Sequence, residues 1–409
     1  MVSSGGGTGS PPNRSAAPTT ADLAQSFFSG DTDPEMPIDQ AANPLAGLFA
    51  AIDPVADSAM TYFYGHLFAI EPQTRAMFPP AMDRQRKRFY QALTRIIASG
   101  ENPGELTVYL EGLGRAHRKF GVQKDHFDAF RQALAATWQR YAPAAWTDEA
   151  AAAWDELFDR ASTAMIEAAE RDAEHSPPWW LAEVVAHQVR GPDLAVLTLL
   201  PGQPVPYRAG QHISIQTPRW PRLWRNYSVA NAPREDGALT LHVRAVPGGL
   251  VSATLVHHTN PGDTLLLGAA AGSMTMDPDS ERDLLCLAGG TGLAPVKAIV
   301  EEIVTGPPSG RRREIVLYHG ARREPDLYDL AGLQQLERNY PWLQVIPVVS
   351  EEAAPDAIFG SIPDVVGLSS WRNRDIYVAG PDAMIARTVS ELKDRGAPSE
   401  RIRYDGPRY

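Results

Sequence analysis

The sequence predicts a multidomain chain: an all-α domain, then an antiparallel β-barrel, then an α/β domain built on a parallel sheet. Three changes of hydrophobic period predict it. From Pro44 to about Asp172 apolar residues recur every three or four positions, the spacing of one buried helix face. Between Val184 and Leu267 the period falls to two, in short runs separated by turn residues. From Leu284 onward continuous apolar runs alternate with helical stretches, the pattern of βαβ units.

Taken in order, residues 1–42 are rich in Gly, Ser, Pro and Thr and predict a disordered tail, because they cannot bury enough apolar surface to offset ordering entropy. Residues 43–174 form the helical domain. Leu106, Leu110, Leu113, His117 and Phe120 make one stripe, Phe127, Phe130, Leu134, Trp138 and Tyr141 a second, and Trp154, Phe158, Ala161 and Met165 a third. Pro177 and Pro178 cannot continue a helix, so 175–181 reads as a linker. The barrel spans 182–280, with strands at Val184–Val189, Ala195–Leu200, His212–Gln216, Leu239–Arg244 and Thr264–Leu267. The α/β domain spans 281–409. Its strands are expected at 284–288, 315–319, 345–349 and 376–378, its helices at 295–304, 327–338 and 383–395.

A length of 409 residues suits two or three such domains. The net charge of −11 argues against nucleic acid, whose phosphates need clustered Lys and Arg. The single cysteine, Cys286, allows no internal disulfide and no thiolate metal cluster, and it suits a cytoplasmic setting. No apolar run reaches the ~18–20 residues that cross a bilayer, and the first residues lack the basic and apolar regions of a secretory signal. No membrane partner is expected.

Two motifs carry chemistry. Arg225-Asn226-Tyr227-Ser228 could neutralise a diphosphate, cover an isoalloxazine and hydrogen-bond a ring nitrogen, or could be an ordinary strand with alternating polar residues. Gly248, Gly249 and Ser252 downstream add a possible phosphate approach. Gly289-Gly290-Thr291-Gly292-Leu293-Ala294 sits between a buried strand and a helix, where glycines admit a pyrophosphate and the helix N-terminus favours an anion. The loop departs from G-x-G-x-x-G, so a simple dinucleotide dehydrogenase is not implied. Ile376–Ala379 followed by Gly380-Pro381 is a second strand end of the same kind.

On these motifs, residues 181–409 resemble the ferredoxin reductase family. The resemblance implies that His212, Arg225, Asn226, Tyr227, Ser228, Gly249, Val251 and Ser252 bind FAD, with Tyr227 stacked on the flavin. It implies that Gly289 to Ala294 cradle a nicotinamide dinucleotide and that Gly380 and Pro381 flank hydride transfer. Many relatives have a cysteine where this chain has Ala379; Cys286 reads as a core residue instead. Tyr404, or Tyr409, would cover the flavin from the chain end.

His117, alone, reads as a core histidine. Preceded by Phe63-Tyr64, Phe68, Phe78-Pro79 and an apolar helix through Phe89, Leu93 and Ile97, it makes the domain resemble a globin. Residues 45–409 then resemble the flavohaemoglobin family. That resemblance implies haem b, FAD and NADH, with NADPH as the alternative, and His117 as axial ligand to the haem iron. It implies Tyr64 as the distal hydroxyl, Phe78, Phe89, Leu93 and Phe127 in the haem pocket, and Phe89 or Arg88 facing the ligand. The implied activity is nitric oxide dioxygenation, with small-molecule substrates oxygen, nitric oxide and NAD(P)H. A haem or flavin oxidase, a reductase for another acceptor, and a gas or redox sensor are the alternatives. The family backs its histidine with a tyrosine and a glutamate. Here Phe127 stands in the tyrosine's place and Glu167, Glu170 and Arg171 compete for the glutamate's. Arg322 and Arg323 could meet a 2′-phosphate, while Glu324 and Asp326 would repel it.

Overall fold

The computed structural model describes residues 44–98, 103–306, 313–369 and 371–405; the expected tail and Tyr409 lie outside them. Among the described residues six α-helices come first: α1 (Pro44–Ile52), α2 (Ala56–Ile70), α3 (Asp83–Ala98), α4 (Pro103–His117), α5 (Lys124–Tyr141) and α6 (Asp148–Ala173). Each expected stripe sends residues inward: Leu106, Leu110, Leu134 and Trp138 are at most 1% exposed and Trp154 is 3% exposed, while the remaining stripe residues are half-buried. α4 packs on α6 and α2 on α5. Gly114 sets the first of these approaches, since any Cβ there would overlap the Met165 carbonyl. Thr147 caps α6, its hydroxyl accepting the Ala150 N–H.

The barrel strands are β1 (Trp180–Gly191), β2 (Leu194–Pro201), β3 (His212–Gln216), β4 (Arg225–Ser228), β5 (Leu239–Arg244) and β6 (Thr264–Leu267). They pair antiparallel in the order β4-β3-β6-β1-β2-β5. The bridge from Val229 to Leu241, with the Ala230 N–H on Thr240 O, joins the two ends of the sheet. β1 reaches back to Trp180 because that side chain is buried and its backbone pairs with Leu267. One helix, α7 (Leu250–His257), follows β5.

The last domain holds β7 (Asp283–Gly289), β8 (Ile315–Ala321), β9 (Leu343–Val349), β10 (Ile358–Phe359), β11 (Arg374–Ala379) and β12 (Ile402–Tyr404), parallel in the order β10-β9-β8-β7-β11-β12. Its helices are α8 (Leu293–Thr305), α9 (Leu330–Asn339), α10 (Ile362–Val365) and α11 (Asp382–Asp394). α9 begins three residues later than its apolar pattern predicts, because Pro325 sets a 3-10 turn over Glu324–Asp326. Strand order reverses between β7 and β11, so a crevice opens at their carboxyl ends. Buried Asp375 ties the base of the sheet by accepting from Ser280, Arg282 and Arg313. Among the described residues no helix is long and apolar enough to cross a membrane.

Candidate functional sites

In the helical domain Tyr64 sits on the inner face of α2 within a ring of aromatics. Its ring lies 5.3 Å from Phe78, 5.8 Å from Phe89 and 4.8 Å from Phe63. Burial raises the Tyr64 hydroxyl's pKa above the usual range, so it stays protonated. The sequence left Phe89 or Arg88 to face the ligand. Phe89 does join the aromatic ring, but Arg88 does not: its charged neighbours are Arg225 and Arg84. The polar partner of Tyr64 is Gln85, whose Nε2 donates to Tyr64 Oη at 3.2 Å. Gln85 lies one turn before Phe89 on α3, so both residues share a face. Leu93, a further turn along, is buried.

His117 is the last residue of α4. Its Nδ1 lies 2.6 Å from Leu113 O, which requires the N–H on that nitrogen and leaves Nε2 with a free lone pair. Burial lowers its pKa and keeps it neutral. Behind it lies a cavity of about 360 Å³ lined by Phe127, Met165, Ile166, Ala169 and Glu170. Glu167 and Arg171 instead pair with each other at the surface, Arg171 also with Glu111. Of the three residues that compete for the backing glutamate's place, only Glu170 lines this cavity, and the imidazole is held by a backbone carbonyl.

The flavin motif is strand β4. Pairing of His212 with Ser228 and of Ser214 with Asn226 puts these four on one face, while Arg225 and Tyr227 share the other with Ile213 and Ile215. The helical domain meets the first face through Lys119, whose Nζ donates to Ser214 Oγ at 2.8 Å. Asp405, just past β12, meets it from the other side, 3.5 Å from His212 Nδ1. Tyr404 packs into the apolar cluster with Val378 and Met384, so Asp405 is the residue that reaches the barrel from this strand. Arg225, Arg84, Arg88 and Lys119 form a cationic group at the junction. Burial, aided by Arg88, pulls the Lys119 ammonium down to about 8. At α7, Val251 is buried and Ser252 Oγ is occupied locally, donating to Gly249 O and accepting from Val246 N. The helix start therefore offers backbone N–H groups.

The β7 loop passes through a 3-10 turn, Gly290–Gly292, into α8. Gly290 has φ +53, and a Cβ on Gly292 would overlap the Ala379 carbonyl, so this loop lies directly against the end of β11. Thr291 is half-buried, and Leu293 and Ala294 are buried. The Met384 thioether fills the space where a Cβ on either Gly289 or Gly380 would sit. Pro381 precedes α11. Cys286 is fully buried in β7 with its thiol pushed up to about 12, so it cannot stand in for a thiol at Ala379.

Three family models match: globin over residues 61–165, oxidoreductase FAD-binding domain over 182–276, and oxidoreductase NAD-binding domain over 286–390. The reductase subunit of an aromatic O-demethylase from Amycolatopsis is 34% identical over 49% of this chain, which spans 60% of that protein's length. A flavohemoprotein from Rhizobium meliloti is 26% identical over 84% of this chain and 91% of its own. The flavohemoglobin of Malassezia yamatoensis, solved with FAD and haem, superposes with a TM-score of 0.73 at 20% identity, covering 89% of this chain and 98% of that one. The chain joins a globin domain to FAD- and NAD-binding reductase domains, the domain order of these flavohaemoglobins, which it resembles over most of its length. Haem, FAD and a nicotinamide dinucleotide are its cofactors.

The residues of this chain fit those groups. His117 offers a neutral Nε2 in an apolar setting, as a haem iron requires. Arg225 has cationic neighbours at Arg84 and Arg88, a group suited to the anionic ends of FAD and haem. Sequence reasoning missed Gln85, Met384 and the Lys119–Ser214 contact.

Proposed function

We propose that this haem- and flavin-dependent NAD(P)H oxidoreductase is a nitric oxide dioxygenase fuelled by NADH. When bound, the haem supplies the iron at which oxygen and nitric oxide combine into nitrate, and the flavin divides a hydride into single electrons. Two nitric oxide and two oxygen molecules with one NADH give two nitrate ions, NAD⁺ and one proton.

The reading rests on the Tyr64–Gln85 pair. Gln85 donates to Tyr64 Oη, so the tyrosine's own O–H points elsewhere. Held protonated by burial, it can donate to a ligand oxygen that gains negative charge. His117, with its Nδ1–H taken by Leu113 O, presents Nε2 in one orientation. In the reductase, the Gly290–Gly292 turn and the start of α8 would hold the pyrophosphate, and Gly289, Gly380 and Met384 would bound the nicotinamide. Arg322 pairs with Glu351 and Arg323 with Asp326, which leaves a 2′-phosphate competing with carboxylates and favours NADH.

The test is rapid mixing of NADH-reduced, oxygenated protein with nitric oxide. Two nitrate ions per NADH are expected. Nitrate below one-tenth of that yield, with haem and flavin bound, would overturn the reading.

A further inference from the structure

We propose that Lys119 is a positioning residue that pins the helical domain to β3, the barrel strand paired with the flavin motif of β4, so that electrons leave FAD for haem within one docked arrangement. This rests on the electron route proposed above. Lys119 belongs to the 3-10 turn Arg118–Phe120 that follows α4 directly, so a pin there also fixes the end of the helix that bears His117. Its Nζ donates to Ser214 Oγ at 2.8 Å and lies 5.2 Å from the Trp224 ring centre and 5.3 Å from that of Phe120. Phe120 in turn meets Trp224 edge-on at 6.5 Å and His117 at 6.0 Å. Hydroxyl and aromatic faces together replace the water an ammonium loses on leaving solvent.

The barrel is shaped to admit this side chain. A Cβ on Gly268 would overlap Ser214 Oγ and crowd Lys119 Cδ, so only glycine leaves the path open. Ser214 shares its face with His212, Asn226 and Ser228, so the ammonium lands beside the flavin motif. Arg88 lies close enough to repel it, so the cation is held there by specific contacts. A second polar contact at this junction, Arg222 Nη1 to Ala76 O at 3.3 Å, is exposed and ends on a backbone carbonyl.

Three holoenzyme variants test the pin: Lys119→Met, which keeps the stem and removes the charge, Lys119→Arg as the conservative control, and Gly268→Ala, which closes the path from the barrel side. Two readouts are taken, the radius of gyration from X-ray scattering and the stopped-flow rates of flavin and haem reduction by NADH. For Lys119→Met and Gly268→Ala we expect a larger radius and haem reduction slowed at least about tenfold, with flavin reduction by NADH unchanged. Lys119→Arg should recover most of the loss. An unchanged radius and unchanged haem reduction in Lys119→Met, with normal haem and flavin spectra, overturn the proposal. If that variant loses haem, the same two readouts on Gly268→Ala decide. Parent protein whose haem NADH never reduces would sink the electron route, while the radius still reports on the pin.

Discussion

The proposed cofactor sites of the helical domain and the reductase module are built by opposite means. In the first, the site is a set of side chains gathered from α2, α3 and α4: Tyr64 and Gln85 meet across 21 positions, and His117 comes from a third helix. In the second, the site is largely backbone, the loop Gly289–Gly292 lying against the end of β11 where a Cβ has no room. The helical site should therefore fail when a side chain is removed, and the reductase site when one is added.

The largest effect should come from His117→Ala. With no other group at the end of α4 able to ligate iron, the haem Soret band should disappear while flavin absorbance stays at parent level. A retained Soret band would mean that another side chain holds the iron, and the contrast would lose its first term. Next in size is Gly292→Val. Its branched side chain would strike the Ala379 carbonyl and push the loop from β11, so KM for NADH should rise about a hundredfold with haem and flavin content unchanged. A KM within threefold of the parent would show that the loop moves freely and does not set the site.

Acid should separate the two halves as well. His242 of β5 is hydrogen-bonded to Tyr328 at 2.7 Å across the barrel and α/β domains, and His319 packs edge-on against the same ring. Burial pulls His242 down to about 3 and His319 to about 4. Both folded values lie below the unfolded value of about 6.5, so the neutral forms stabilise the fold. That contribution is complete above pH ~6.5 and is lost as pH falls toward 4, at up to roughly 1.4 kcal/mol per pH unit for each group. Calorimetric melting from pH 7 to 4.5 should show the reductase transition falling, and His242→Gln should flatten its slope. Equal slopes in parent and variant would remove His242 from this role.

Why the two halves differ in legibility follows from the same contrast. The barrel and sheet strands were readable because their pattern is local: His212–Gln216, Leu239–Arg244 and Thr264–Leu267 appear at the expected positions. The glycine loop was readable because its residues are contiguous and sit between a strand and a helix. Gln85 was not, since Asp83–Ala98 is crowded with Arg, Lys and Gln, and nothing local marks the one that meets Tyr64. Lys119 and Ser214 are 95 positions apart and acquire meaning only when the domains touch.

Tyr64→Phe tests that hidden pair. It removes one hydroxyl from a buried apolar cluster and leaves the Gln85 amide without its acceptor. The oxygen dissociation rate should rise roughly tenfold, the worth of one hydrogen bond of about 1.4 kcal/mol. Gln85→Leu should give a smaller change, because the tyrosine hydroxyl remains. Unchanged dissociation in Tyr64→Phe would return Tyr64 to the role of a core aromatic.

The smallest effect concerns the residue behind His117. Phe127 lines the cavity of about 360 Å³ together with Glu170, so a hydroxyl added by Phe127→Tyr enters space that already exists and causes no overpacking. If it finds Glu170, stability should change by less than about 0.5 kcal/mol and haem content not at all. A hydroxyl anchored there can compete with Leu113 O for the histidine's Nδ1–H, making the imidazole a stronger donor. The iron–histidine stretch in resonance Raman spectra of the reduced protein should then move to higher frequency. An unmoved stretch would mean that the carbonyl of Leu113 alone governs the ligand. The helical site would then share with the reductase a dependence on backbone at its most sensitive point, and the contrast between the halves would hold only for Tyr64 and Gln85.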